Sequence, residues 1–111
     1  MEITSEQMEG GVTRVELDGR MDREGAQAVD MKINIIAGRA TKLLIDLQKV
    51  TYIGSLGIGT IVVPARTVVS RGGKVVFFRP TGIVATVLKT SHIQDLFPFH
   101  DDLAEALAAL H

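Results

Sequence analysis

Leu44-Ile45-Asp46-Leu47-Gln48-Lys49-Val50-Thr51-Tyr52-Ile53-Gly54-Ser55-Leu56-Gly57-Ile58-Gly59 is the stretch that decides how this chain folds. Leu43 to Leu47 is a short apolar run of the kind found in buried strands, interrupted by the single carboxylate of Asp46. Val50 to Ile53 reads as a connection, and Gly54-Ser55-Leu56-Gly57 as the turn that opens a helix. Beyond it, Ile58, Ile61, Val62, Ala65, Val68 and Val69 make one helical stripe. Their β-branched content would equally suit a strand, and Pro64 removes one helical donor. The run covers about three turns and stops at Arg71-Gly72-Gly73, which favours a helix.

Upstream, Ile3 to Met8 and Val12 to Leu17 flank Gly10-Gly11, the signal of a β-hairpin. After the polar stretch Asp18 to Asp22, the residues Ala26, Val29, Ile33, Ile36 and Ala37 recur at helical steps. Gly38 stands near the end of that helix, where a left-handed cap is easily accommodated. Downstream, Lys74 to Phe78 is a further buried strand. Pro80 and Thr81 open a helix with Val84, Val87, Leu88 and Ser91 on one face, and Leu96 to Phe99 reads as a last short strand. Asp102 and Glu105 have the spacing of a capping box before Leu103, Ala106, Leu107 and Leu110, the apolar face of the final helix. The order β-β-α-β-α-β-α-β-α predicts one α/β domain over residues 1–111, a mixed sheet of four to five strands with about four helices packed against it.

Composition narrows the function classes. With 46% apolar and 23% charged residues, the chain suits a globular core that needs neither metal nor disulfide. It has no cysteine, which excludes disulfides, thiolate-bound zinc and thiol catalysis, and fits a reducing cytoplasm. A net charge of -1 with no Lys/Arg block gives no footprint for direct nucleic-acid binding. The longest uncharged run, Val50 to Ala65, carries Thr, Ser, Tyr, Gly and Pro64, which argues against a membrane span. The acidic start Met1-Glu2-Ile3-Thr4-Ser5-Glu6 is no signal peptide. A cytoplasmic protein is expected.

Ser55 carries whatever chemistry the central stretch has. A serine entering the first turn of a helix can cap orphan amides with its hydroxyl, and Gly54 and Gly57 permit a tight turn and close approach. The same place suits a phosphate, because free donors and the positive helix end face it. A plain Gly-Ser capping turn describes these residues equally well. A P-loop would need Gly-Lys-Ser/Thr, and the glycine order is wrong for a dinucleotide fingerprint. A nucleophile elbow would need glycine where Ile53 stands. His92, His100 and His111 are scattered along the last fifth of the chain, and no ligand cluster suggests a metal or cofactor.

The ordered set of motifs resembles the STAS family, the bacterial anti-sigma factor antagonists, along nearly the full length. Leu17-Asp18-Gly19-Arg20-Met21-Asp22 is similar to the family's Leu-x-Gly-x-Leu-Asp entry to the first helix. Gly54-Ser55-Leu56-Gly57-Ile58-Gly59 is similar to its Asp-Ser-Ser/Ala/Thr-Gly-Leu-Gly signature. Leu44 to Leu47, Val50 to Ile53, Gly73-Lys74, Pro80 before Val84 and Leu88, and Ile93 to Phe97 also fall where the family has them. The resemblance implies a protein-binding module that catalyses nothing. It would bind an anti-sigma factor that is also a serine kinase and so release a sigma factor. Phosphorylation at Ser55 would break that complex, and a cognate phosphatase would restore it. One departure stands out: Gly54 replaces the usual Asp before the switch serine, and Leu56 leaves Ser55 as the sole acceptor in the turn. STAS modules that lack the switch serve as scaffold, sensor or transport-accessory domains, the alternative for this chain.

Leu56, Thr60, Val63 and Thr67 are expected on a helix stripe beside Ser55 and off the buried face, as candidate partner contacts. Asp22 and Asp46 join them as partner-binding candidates, expected as structural or site-shaping residues and not catalytic acids, Asp46 by hydrogen-bonding the Gly54-Ser55 turn from the C-terminal edge of its strand.

Overall fold

Gly10 and Gly11 take φ of 79° and 76°, backbone that side chains rarely adopt, and turn the chain between two antiparallel strands. These are β1 (Glu2–Met8) and β2 (Val12–Met21), with Met8 opposite Val12 and Glu2 opposite Asp18. The computed structural model describes residues 1–111. After the hairpin, three strand–helix crossovers follow: α1 (Arg23–Arg39), β3 (Lys42–Ile53), α2 (Ser55–Ser70), β4 (Lys74–Phe78), α3 (Gly82–Thr90) and β5 (Phe99–His100), with α4 (Leu103–Leu110) at the end. The strands lie in the order β1-β2-β3-β4-β5, and all neighbours beyond the hairpin are parallel. The fold is the single α/β domain the pattern predicts, with five strands and four helices.

Alternation along the strands sorts the helices between the two faces of the sheet. Leu43, Ile45 and Leu47 join Val29 and Ile33 of α1, Ile61 and Val68 of α2, and Val84 and Leu88 of α3 in the main core. Leu44, Val76 and Phe78 point the other way, where Ala106 and Leu110 of α4 cover them together with Val12.

β3 is longer than the apolar run suggests, because it continues through Val50 to Ile53 instead of ending in a connection. It sets twelve residues against ten of β2 by means of two register shifts. Between the pairs Glu16–Asp46 and Asp18–Lys49, β2 spends Leu17 while β3 spends Leu47 and Gln48. Between Gly19–Val50 and Arg20–Tyr52, β3 spends Thr51 alone. Each extra residue is a bulge that bends the strand and moves its inward positions by one. The core residues of β3 accordingly run Leu43, Ile45, Leu47, Val50, Ile53, first at steps of two and then of three.

α2 runs through Pro64 without a break. A proline inside a helix costs about 3 kcal/mol. Burying Ile61 and Val68 offsets this, at about 1.5–3 kcal/mol for each such side chain. Val69, expected on the buried stripe, is 47% exposed, and Ser91 is exposed beyond the end of α3. Gly38 is no left-handed cap: it lies inside α1, and Ala40 ends the helix in extended backbone. Arg71, just beyond α2, donates to the carbonyl of Ala37 at 2.8 Å and also to that of Ala40, so the end of α1 is closed from outside. The last strand also shifts from its expected place. Ile93–Asp95 forms a short 3-10 turn, Leu96 is exposed, and β5 begins at Phe99, where the ring meets Phe77 edge-on at 5.4 Å. Asp102 caps α4 as expected, its carboxylate accepting from the Glu105 amide at 3.0 Å.

Candidate functional site

The ends of β2 and β3 lie side by side, Met21 paired with Ile53, and each passes directly into a helix. Ser55 is the first residue of α2 and is exposed, and its hydroxyl makes no hydrogen bond. The capping role open to that hydroxyl is not used. Gly54 is the N-cap, in extended backbone (φ -103°, ψ -178°), and no side chain caps the helix. The Gly54 amide donates to the Met21 carbonyl at 3.1 Å, which ties the turn to the end of β2.

The two glycines of the turn have different reasons. A Cβ on Gly57 would lie 2.5 Å from Met21 Cγ, 2.8 Å from the Met21 carbonyl oxygen and 3.0 Å from Ile53 Cγ1. Glycine is required there for α2 to sit against β2. At Gly54 the nearest atom to such a Cβ is Tyr52 Oη at 3.4 Å, and the φ suits any residue. Gly54 therefore departs from the usual aspartate without steric need.

Asp22 belongs to the neighbouring junction. It is the N-cap of α1, its carboxylate accepting from the Gly25 amide at 2.9 Å. That hydrogen bond, helped by the Arg20 guanidinium 3.7 Å away, holds its pKa below the ordinary 3.8, against a smaller opposing effect of desolvation. Arg20 in turn lies over the Tyr52 ring at 4.6 Å, so Asp22, Arg20 and Tyr52 form a connected edge next to Gly54.

The proposed contact stripe is only partly exposed. Leu56 and Val63 are 50% and 55% exposed, and Thr67 is open to solvent. Thr60 is 5% exposed and its hydroxyl donates to the Leu56 carbonyl at 3.0 Å, so it does not stand open on the stripe as expected. It lies in a groove between α1 and α2, with Ala26, Gln27, Asp30 and Leu56 around it. The packing of α1 explains the difference, and the pattern of α2 alone does not reveal it.

Asp46 is also misplaced by the sequence reading. It lies on the α4 side of the sheet, fully buried, and makes no bond to Gly54 or Ser55. One carboxylate oxygen accepts from the Gln48 amide at 3.1 Å. The other accepts from Gln48 Nε2 at 2.9 Å and from Arg14, through Nε at 3.1 Å and through Nη2. The Arg14 pKa is raised by this hydrogen bond first and by the Asp46 charge, with burial opposing. Asp46 is thus an internal partner and no direct contact residue. The histidines stand apart from Ser55: His92 faces Asp95, His100 pairs with Phe78 in the sheet, and His111 meets Lys42. No helix is long and apolar enough to cross a membrane.

A family model described as the STAS domain matches residues 5–106. Among solved structures, an anti-sigma factor antagonist from Mycobacterium paratuberculosis is 26% identical, with a TM-score of 0.79 over 98% of this chain and 94% of that one. An anti-sigma-factor antagonist (STAS) domain protein from Planctomyces limnophilus is 22% identical, with a TM-score of 0.85 over 98% and 97%. The Bacillus cell fate determinant SpoIIAA in its phosphorylated form is 16% identical, with a TM-score of 0.73 over 99% and 100%. The last two are likenesses of fold. Among curated protein sequences nothing matches.

Proposed function

The chain belongs to the STAS domain family, and we propose that within it the protein is an anti-sigma factor antagonist switched by phosphorylation of Ser55. The observation that carries this reading is an exposed, unbonded serine hydroxyl at the start of α2, where no side chain occupies the cap. Beside it, Leu56 and Val63 offer apolar surface to a partner. The module binds an anti-sigma factor that is also its serine kinase, frees the sigma factor for transcription, and is reset by a phosphatase. It performs no catalysis itself, and its place is the cytoplasm.

The energetics assign the switch to the interface. A phosphate brings about -1.5 to -2 charges at neutral pH. Beside the positive end of α2 it gains about 1 kcal/mol or less, so the domain keeps its fold. Emptying a nearly full complex takes about 5.5 kcal/mol of differential binding. Burying a dianion against a surface shaped for a hydroxyl and for Leu56 supplies a penalty of that kind. SpoIIAA, which shares the fold, exists in both unphosphorylated and phosphorylated forms, in keeping with a switch that leaves the fold intact.

Mass spectrometry of the Ser55 peptide from the native cell, with identification of co-purifying proteins, tests the proposal directly. Phosphate on Ser55 and a kinase-type anti-sigma factor are expected. Ser55→Ala should hold that partner persistently and Ser55→Asp should bind it poorly while remaining folded. Equal binding by both variants would defeat the switch. Gly54 in place of the usual aspartate favours one other reading, a phosphorylation-independent scaffold, sensor or transport-accessory module. Transporter or stress-complex subunits in place of the kinase would establish it.

A further inference from the structure

We infer that Asp46 is a positioning residue for the Ser55 turn, acting from the opposite face of the sheet through the first bulge of β3. The bulge lies at Leu47-Gln48, opposite Leu17. Within a regular ladder the Gln48 amide would be directed at β2. In the bulge it is left over, and the Asp46 carboxylate accepts it at 3.1 Å while the Gln48 side chain returns to the same group at 2.9 Å. Arg14 on β2 anchors that carboxylate from across the strand pair. No buried side-chain nitrogen or oxygen lacks a partner, so this arrangement is complete in itself and asks for no ligand.

The consequence reaches the turn because register is a matter of parity. A one-residue slip moves every later side chain to the other face. With the first bulge removed and the second kept, Lys49 and Tyr52 would face the core in place of Val50 and Ile53. Gly54 would then leave the sheet on the wrong side to donate to Met21. Asp46 thus fixes where Ser55 stands without touching it, whether or not Ser55 carries a phosphate. The rival explanation is that the apolar spacing of Leu47, Val50 and Ile53 holds the bulge unaided.

Amide hydrogen exchange on the full chain separates the two. The reporters are the amides of Gln48 and Gly54, and the reference is the amides of Leu43 to Ile45 in the regular part of the strand. Asp46→Asn keeps one oxygen acceptor, for which the Gln48 amide and the Arg14 guanidinium compete, and its ratio of turn to reference exchange should lie between wild type and Asp46→Leu. Asp46→Leu removes the acceptor, and both reporters should exchange about tenfold faster relative to the reference. Should Asp46→Leu fail to fold with Arg14 unpaired, the double variant Arg14→Met/Asp46→Leu replaces the whole pair with apolar volume, an exchange that folded domains tolerate. It should show the same tenfold local change. Leu110→Ala, which weakens the same face of the sheet from α4, should speed all amides together and leave the ratio alone. A leucine variant, single or double, that folds with an unaltered ratio would overturn the inference, as would an asparagine variant that loosens the turn as much as leucine does.

Discussion

Two neighbouring parallel strands end side by side in this domain, and they hand over to their helices differently. At Met21-Asp22-Arg23 the cap carries a carboxylate, which closes onto the Gly25 amide and keeps its charge to unusually low pH. At Ile53-Gly54-Ser55 the cap is a glycine, no side chain closes the helix, and the hydroxyl that follows is unbonded. Both junctions are tied to the same strand end, since Met21 leads into one and accepts from Gly54 of the other. The first junction is completed by its own residues, while the second leaves its first turn available to something added.

Gly57 is where breaking the second junction should have the largest effect. The β-carbon introduced by Gly57→Ala collides with Met21, including its backbone oxygen, and no rotamer change relieves that contact. A loss of about 1–3 kcal/mol is expected, as for other overpacked sites. Chemical denaturation measures it. A change below a few tenths would mean that α2 does not need its close seat on β2.

Exchanging the caps sharpens the contrast. Because the folded pKa of Asp22 lies below its ordinary 3.8, its contribution is present above that value and is lost as pH falls through the folded pKa. Asp22→Asn should therefore lower stability at neutral pH and flatten its decline below about pH 4. Gly54→Asp should do the reverse at α2. Its φ is permissive and Tyr52 leaves room, so stability should rise by a few tenths of a kcal/mol at neutral pH and acquire an added acid-sensitive component of the same sign. Thermal melts of the three proteins from pH 7 to about pH 3 check both signs. A Gly54→Asp protein with unchanged acid sensitivity would show that the second junction cannot be closed by a carboxylate.

How much of this was legible in the sequence follows from which residues report on local geometry. The hairpin, β4 and three of the helices are readable because Gly10-Gly11 and the three- and four-residue steps record local conformation, while α2, β-branched and carrying Pro64, leans on the family resemblance as well. The far half of β3 is not readable, because Leu47, Val50 and Ile53 step by three across two bulges and mimic a non-strand pattern. Position along the chain alone suggests that Asp46 lies near the turn. Its parity, opposite to Ile45 and Leu47, already put it on the other face. Thr60 lies on the solvent side by the pattern of α2 alone, and only the presence of α1 buries it. The two glycines look alike in the sequence. Their separate reasons emerge from the distance to Met21, which no local pattern carries. Ser55 stands out in the sequence only through its motif, since exposure and lack of bonding leave no trace in periodicity.

Ser55→Ala should have the smallest effect on the fold, which is what makes it informative. A serine that capped α2 would cost about 0.5–2 kcal/mol on replacement by alanine. Here the cap is Gly54, the hydroxyl has no partner, and the side chain is exposed. The change should therefore fall within about 0.5 kcal/mol of wild type, the range of ordinary surface substitutions. Alanine keeps the size and neutrality of the turn, so any altered hold on a partner would come from the missing hydroxyl and not from a loosened helix. A denaturation curve decides the point before any partner is in hand. A loss above about 1 kcal/mol would place the hydroxyl in the cap after all. The contrast between the closed first junction and the open second one would then disappear, and with it the main structural support for a serine held free for modification.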